Sequence, residues 1–88
     1  MAFDTTTTIT WASTADQHNT DLATARNAKI STMISDGKTD GSRLTITPLA
    51  TTRYWLDLAS AQEYGTFISN AAVTYNCTLT SIVYGTRS

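Results

Sequence analysis

The chain has 88 residues, of which 15% are charged, and a formal net charge of −1, so we expect one domain over residues 1–88. The six Lys and Arg residues are spread along the sequence, whereas a nucleic-acid-binding surface normally has a basic patch. No apolar run approaches the roughly 20 residues of a membrane span, and the N-terminus lacks the features of a signal peptide. The sequence contains 19 threonines, a β-branched residue that favours strands.

The first part of the chain predicts a strand followed by one long helix. Apolar and polar residues alternate from about residue 3 to 11, with Phe3, Ile9 and Trp11 on one face. Thr14 and Gln17 have the spacing of a capping box, so we expect a helix from Thr14 to about Ser35. The predicted buried side of this helix comprises Ala15, Leu22, Ile30 and Met33.

The middle of the chain predicts a β-hairpin. Two turn sequences, Asp36-Gly37 and Asp40-Gly41, follow the first helix. A short strand at 44–47 ends at Pro48, and a strand at 52–57 is expected to return antiparallel to it. Tyr54 and Trp55 would lie on opposite faces of this third strand, so one belongs to the core and the other is free for a partner. The sequence does not decide which one.

The last part predicts a second helix and a fourth strand. Ser60 and Glu63 form a second capping box, and the helix is expected to continue to about Tyr75, with Val73 exposed. Its predicted apolar stripe comprises Tyr64, Phe67, Ile68, Ala71, Ala72 and Tyr75. The fourth strand is placed at 77–84 with a bulge near Ser81. The order βαββαβ predicts an α+β, ferredoxin-like domain with two helices on one face of an antiparallel sheet.

No set of residues matches a catalytic, cofactor-binding or metal-binding motif. Gly37-Lys38-Thr39 lacks the glycine five residues before Gly37 that a phosphate-binding loop requires. Asp36 and Asp40 could belong to a calcium loop, but the sequence around them lacks the remaining oxygen ligands of such a loop. His18 is the only histidine, and no cysteine lies near it in the sequence, so a zinc site or a nucleophile site lacks the residues that it needs. We therefore expect no enzyme activity, no cofactor, no metal ion and no small-molecule substrate.

The surface predicted to bind partners is the last strand together with one aromatic residue. The second and fourth strands of a ferredoxin-like sheet lie at its edges, and the fourth contains no proline or charge to protect it. We expect contacts on residues 77–88, by strand addition or side-face packing, with four residues of this strand on one face. The predicted contact residues are Tyr54, Trp55, Thr78, Thr80, Ile82, Tyr84 and Arg87. The alternative is a solvated edge that only the bulge protects.

The segment Arg53–Tyr64 combines an aromatic strand with an Ala-rich helix start that contains Gln62-Glu63. Tyr75–Thr78 follows the helix. Together with Asp36–Gly41, this pattern resembles small structural proteins of tailed bacteriophages, over about half of the chain. The resemblance implies an accessory subunit of the virion, in the head, neck or tail. Its partners would be other virion proteins and copies of itself, with no nucleic acid and no membrane.

Two alternative functions remain open at this point. The first is a small adaptor or inhibitor that binds one host or phage protein. The second is an RNA-binding domain, because such domains stack bases on aromatic residues of a similar sheet. The segment Arg53–Asp57 does not fit the glycine-containing signature of those domains, which makes the RNA-binding hypothesis the weaker of the two.

Overall fold

The computed structural model describes residues 3–87, which form a small α+β domain. Within these residues there are one four-stranded antiparallel sheet and three helices. The elements are β1 (Thr5–Trp11), α1 (Thr14–Gln17), α2 (Thr20–Ser35), β2 (Arg43–Thr47), β3 (Ala50–Trp55), α3 (Leu58–Thr74) and β4 (Leu79–Thr86). The strand order is β2-β3-β1-β4, so β2 and β4 form the edges of the sheet, as predicted.

The predicted first helix is two helices in the structure, so the expectation of two helices in total was wrong. His18 ends α1, and the side chain of Asn19 starts α2 by accepting a hydrogen bond from the Leu22 N–H at 2.9 Å. Asn is among the strongest N-cap residues, so a polar side chain inside the predicted helix starts a new one. Ala15 is exposed rather than buried, because α1 has only four residues and ends before a continuous apolar face can form.

Both predicted capping boxes were wrong, and in each case the cap lies upstream. Ser13 caps α1 in place of Thr14, by accepting a hydrogen bond from the Asp16 N–H at 3.1 Å. Asp57 caps α3 in place of Ser60, by accepting from the Ser60 N–H at 2.8 Å. The negative charge of Asp57 also suits the positive end of the helix. Ser60 is consequently inside the helix and is buried.

The core lies between the helices and one face of the sheet, which we call the helix face. Trp55 is fully buried and its ring lies 4.6 Å from that of Tyr64 in α3, measured between centroids. The Thr7 hydroxyl donates to the Ala61 carbonyl at 3.4 Å, which connects β1 to α3. The predicted apolar faces are confirmed at Ile9, Trp11, Leu22, Ile30, Met33, Ile68, Ala71 and Ala72, all of which are buried. Val73 is exposed, as predicted.

The predicted hairpin of the second and third strands is confirmed, and so is the predicted bulge in the last strand. The turn Pro48-Leu49 joins β2 to β3, which pair antiparallel. In β4, Ser81 and Leu79 pair with consecutive residues of β1, so Thr80 is the extra residue of a bulge beside Ser81. The strand begins at Leu79 and continues to Thr86, two residues beyond its predicted end.

Candidate functional site

Tyr54 and Trp55 lie on opposite faces of β3, and the structure decides which one belongs to the core. Trp55 is fully buried on the helix face. Tyr54 lies on the opposite face, which carries no helix and which we call the helix-free face. The guanidinium carbon of Arg87 lies 4.0 Å from the centroid of the Tyr54 ring, a cation–π contact. Tyr54 is therefore the member of the pair that a partner could reach.

The predicted contact residues of the last segment do not share one face. Ile82 and Tyr84 lie on the helix face, because they pair with core-facing residues of β1. Ile82 packs against the core, and Tyr84 lies over Gly65 of α3. Thr80 is in the bulge and Thr78 precedes the strand, and both are exposed. The partner contacts at 77–88 stay a prediction, with Ile82 and Tyr84 already engaged in intramolecular packing.

A row of four residues crosses the helix-free face from one edge of the sheet to the other. Leu44, Thr52, Thr8 and Val83 are neighbours in register on β2, β3, β1 and β4. The hydroxyls of Thr8 and Thr52 form a hydrogen bond of 2.8 Å in the middle of the row. Leu44 and Val83, at its two ends, are 54% and 57% exposed. The row is uncharged and presents two aliphatic side chains to solvent, a combination suited to protein contact.

A cavity of about 240 Å³ lies on the helix face next to β2, and three arginines line it. Arg26 comes from α2, Arg43 from β2 and Arg53 from β3. Arg53 is only 8% exposed, and Arg43 lies directly opposite it across the β2–β3 pair. We call this cavity the arginine pocket. Its lining residues are Thr7, Ile9, Trp11, Gln17, His18, Arg26, Arg43, Thr45, Thr47, Pro48, Thr51, Arg53, Tyr64 and Ile68.

The arginines of the pocket form no ion pair with a carboxylate of residues 3–87. In this part of the chain, the ion pairs are those of Glu63 with Lys29 at 2.9 Å and with Lys38 at 2.8 Å. No Asp or Glu of the described residues lines the pocket. Arg26 Nη1 donates to the Gln17 carbonyl at 3.5 Å, while Arg26 Nε is buried and has no partner among the described residues.

The surroundings of the pocket disfavour the positive charge of Arg53. Burial lowers the pKa of Arg53, the Tyr64 phenol counteracts this, and the charges of Arg26 and Arg43 lower the pKa further. An arginine in a protein nevertheless stays protonated, since its intrinsic pKa is far above neutrality. Burial raises the pKa of Tyr64, which stays a neutral phenol that can donate or accept a hydrogen bond. The pocket therefore holds positive charge that lacks a negative partner.

Sequence reasoning missed the arginine pocket because its three arginines come from three separate elements. The predicted hairpin contained a partial signal, since it sets the strand that follows Arg43 beside the strand that contains Arg53. Arg26 had no such signal, because it was placed beside the apolar side of a helix whose position over the sheet was unknown. The arginines that look scattered in the sequence converge only in the folded chain.

The described residues contain no cluster of three or more His, Cys, Asp or Glu side chains that could hold a metal ion. None of the helices in this part of the chain combines the length and the apolar character needed to cross a bilayer. Comparison with protein-family models, curated proteins and solved structures gave no match.

Proposed function

We propose that the protein is a non-catalytic structural subunit that binds other proteins, and copies of itself, through β4 and the helix-free face. The observation that carries this proposal is the character of the β4 edge. β4 has eight residues and contains neither proline nor a charged residue, and within residues 3–87 it pairs only with β1. Unprotected edges of this kind pair readily with other chains, because their outer N–H and C=O groups lack partners. After the bulge at Thr80, the ladder with β1 is regular through Thr86.

The helix-free face supports the same proposal. Val83 belongs both to the β4 edge and to the uncharged row that crosses this face, so one partner could contact both surfaces. Tyr54 and Arg87 lie on or over the same face, and Tyr and Arg are enriched at the centres of protein interfaces. The face is lightly charged, so close approach of a second protein meets little electrostatic repulsion.

The finer assignment of the fold as ferredoxin-like is part of the proposal. If α1 and α2 are counted as one interrupted helix, the element order is βαββαβ. The two long connections, from β1 to β2 and from β3 to β4, each cross one intervening strand of the antiparallel sheet. The break at His18-Asn19 is the feature that departs from the pattern.

We place this subunit in the particle of a tailed bacteriophage. The support is the resemblance of Arg53–Tyr64, Tyr75–Thr78 and Asp36–Gly41 to small structural proteins of such phages. In the structure, these segments form β3, the Asp57 cap, the first part of α3 and the two turns that follow α2 and α3. They are elements that shape the fold, so the resemblance concerns architecture and carries no catalytic residue.

A pair of matched valine substitutions tests the proposed surface. Val83→Lys places a charge on the β4 edge, where 57% of the residue is exposed, and should cost the free domain about 1 kcal/mol or less. Val73→Lys makes the same change on α3, where 79% is exposed, and serves as the control. We expect mass spectrometry of purified particles to detect the wild type and Val73→Lys in many copies, and Val83→Lys in far fewer.

Circular dichroism of the isolated variants should show that both remain folded. Equal incorporation of the two variants would contradict the β4 surface. Absence of the wild-type protein from purified particles would contradict the structural function altogether. In that case the adaptor or inhibitor hypothesis would remain.

A further inference from the structure

We propose that the arginine pocket binds a small oxyanion, a phosphate or a carboxylate group, with the buried Arg53 as the central ligand and Arg26 and Arg43 beside it. This inference goes beyond the proposed function and does not depend on it. The pocket lies on the helix face next to β2, whereas the proposed partner surface comprises β4 and the helix-free face.

Three separate observations point to a missing negative partner. Arg53 is 8% exposed and has no carboxylate within ion-pair distance among residues 3–87, although buried charges are normally paired. Arg43 stands directly opposite Arg53 on the neighbouring strand, and like charges in that position destabilise a sheet. Arg26 Nε is buried without a hydrogen-bond partner among the described residues. One anion bound between the guanidinium groups would account for all three.

The donors of the pocket define the chemistry of the ligand. Each guanidinium has five N–H donors in a planar fork, which matches the paired oxygens of phosphate and carboxylate groups. Neutral groups of the lining, among them the hydroxyls of Tyr64 and Thr51, can add hydrogen bonds. Thr51 is itself held by the Gln17 amide, which donates to its hydroxyl at 2.9 Å.

The size of the pocket limits the ligand. Its volume of about 240 Å³ is smaller than the range of about 300–1,000 Å³ that is typical of sites for drug-sized ligands and cofactors. A phosphate group or a short dicarboxylate is therefore the expected occupant. The expectation from sequence that the protein binds no small molecule stays untested, and the arginine pocket is the structural reason to test it.

The test is an NMR titration of the full-length ¹⁵N-labelled protein with potassium phosphate and, separately, with potassium succinate. Potassium chloride keeps the ionic strength constant, because simple screening of charges also changes chemical shifts. We expect saturable shifts of the Arg53 side-chain N–H and of the backbone amides of Arg43 and Thr51. Saturation by phosphate alone assigns the pocket to a phosphate group, and saturation by succinate alone assigns it to a carboxylate. Either result, or both, supports the proposal.

Three Arg→Met variants locate the binding. Loss of one charge-assisted hydrogen bond weakens binding by about tenfold or more, so Arg53→Met should raise the dissociation constant at least that much. Arg43→Met, at an exposed position, should weaken binding without disturbing the fold and remains informative if Arg53→Met does not fold. Arg87→Met is the matched control, because Arg87 lies on Tyr54 away from the pocket, and it should leave the dissociation constant unchanged.

Thermal unfolding gives a second measurement. A ligand that binds only the folded state raises the midpoint of unfolding, so phosphate or succinate should stabilise the wild type and Arg87→Met more than chloride does at the same ionic strength. Non-saturating shifts equal to those caused by chloride would overturn the proposal. So would an unchanged response of Arg43→Met together with an unchanged response of Arg53→Met.

Discussion

The contact between Tyr84 of β4 and Gly65 of α3 can be tested by adding a single methyl group. A Cβ atom on Gly65 would overlap the Tyr84 hydroxyl and would lie 3.0 Å from Cζ of the same ring. Gly65 is buried in the interior of α3, where the surrounding backbone cannot move aside easily. Gly65→Ala should therefore displace the phenol ring from the helix towards solvent.

Two effects of opposite sign determine how much Gly65→Ala changes the free energy of unfolding. Replacing Gly by Ala inside a helix stabilises it by about 0.8–1.0 kcal/mol. Tyr84 is 36% exposed, and aromatic residues bury about 150–250 Å² when fully packed, so displacing this ring exposes roughly 100 Å². At about 25 cal/mol per Å², that exposure costs about 2.5 kcal/mol. Gly65→Ala should thus lower the free energy of unfolding by about 1.5 kcal/mol in the wild type.

The decisive measurement is a double-mutant cycle with Tyr84→Ala. In that background the ring is absent, so Gly65→Ala should now stabilise the protein by about 1 kcal/mol, a reversal of sign. Urea unfolding followed by the fluorescence of the buried Trp11 and Trp55 gives the four free energies. Thr66→Ala, at an exposed position of the same helix, is the control and should change stability by no more than about 0.5 kcal/mol. Stabilisation by Gly65→Ala in both backgrounds would refute the packing of Tyr84 on α3.

Two further predictions concern α3. Ile68→Ala should lower the free energy of unfolding by about 2–5 kcal/mol, because Ile68 is fully buried. Val73→Ala, at an exposed position, should change the free energy of unfolding by no more than about 0.5 kcal/mol. Similar losses for the two variants in urea unfolding would contradict the assigned helix face. The hydrogen bond from the Ser60 backbone N–H lowers the pKa of Asp57 below its ordinary value of 3.8. The stability that this carboxylate contributes is therefore present above pH 3.8 and is lost as the pH falls through its lower folded pKa. Asp57→Asn keeps a capping side chain, so unfolding measured from pH 7 down to pH 2 should show a smaller acid-induced loss than in the wild type, and an equal loss would contradict the role of Asp57.

The strands and the buried faces could be predicted because burial follows directly from the period of the sequence. Alternation placed Ile9 and Trp11 on one face of β1, and helical spacing placed Ile68 and Ala72 on the buried face of α3. Pro48 marked the end of β2 because it cannot donate to the ladder. These inferences needed only local rules, and tertiary packing did not override them.

The break between α1 and α2 could not be predicted from the same rules. Thr20 fits the polar face of one long helix, and Asn19 would be a single polar residue on its apolar side, between Ala15 and Leu22. One such residue does not by itself show that a helix ends. Tertiary contacts favour the break, because Gln17 is buried and its amide donates to Thr51 in the hairpin. Arg26 also donates to the Gln17 carbonyl, which has no partner inside a helix that ends there. The end of α1 is thus held by residues that are distant in the sequence.

The misplaced cap of α3 has a different cause, which is a choice between two side-chain acceptors three residues apart. Ser60 and Asp57 are both suitable N-cap residues, and the spacing from Ser60 to Glu63 made the serine the apparent choice. In the structure Glu63 is engaged with Lys29 and Lys38, so it is not available to complete a capping box. The ion pairs that hold Glu63 connect α3 to α2 and to the segment after it, and no local pattern reveals them.

Net charge concealed the arginine pocket for a physical reason. A total of −1 fixes only the sum of the charges, whereas binding depends on where they lie. Both lysines of the chain lie in ion-pair contact with Glu63, whereas three of the four arginines meet in one cavity that no Asp or Glu of the described residues lines. That cavity adjoins β2 at one edge of the sheet, and the uncharged strand β4 forms the opposite edge. An anion held by Arg53 would therefore leave β4 accessible, so one small domain has room for an oxyanion and a protein partner at the same time.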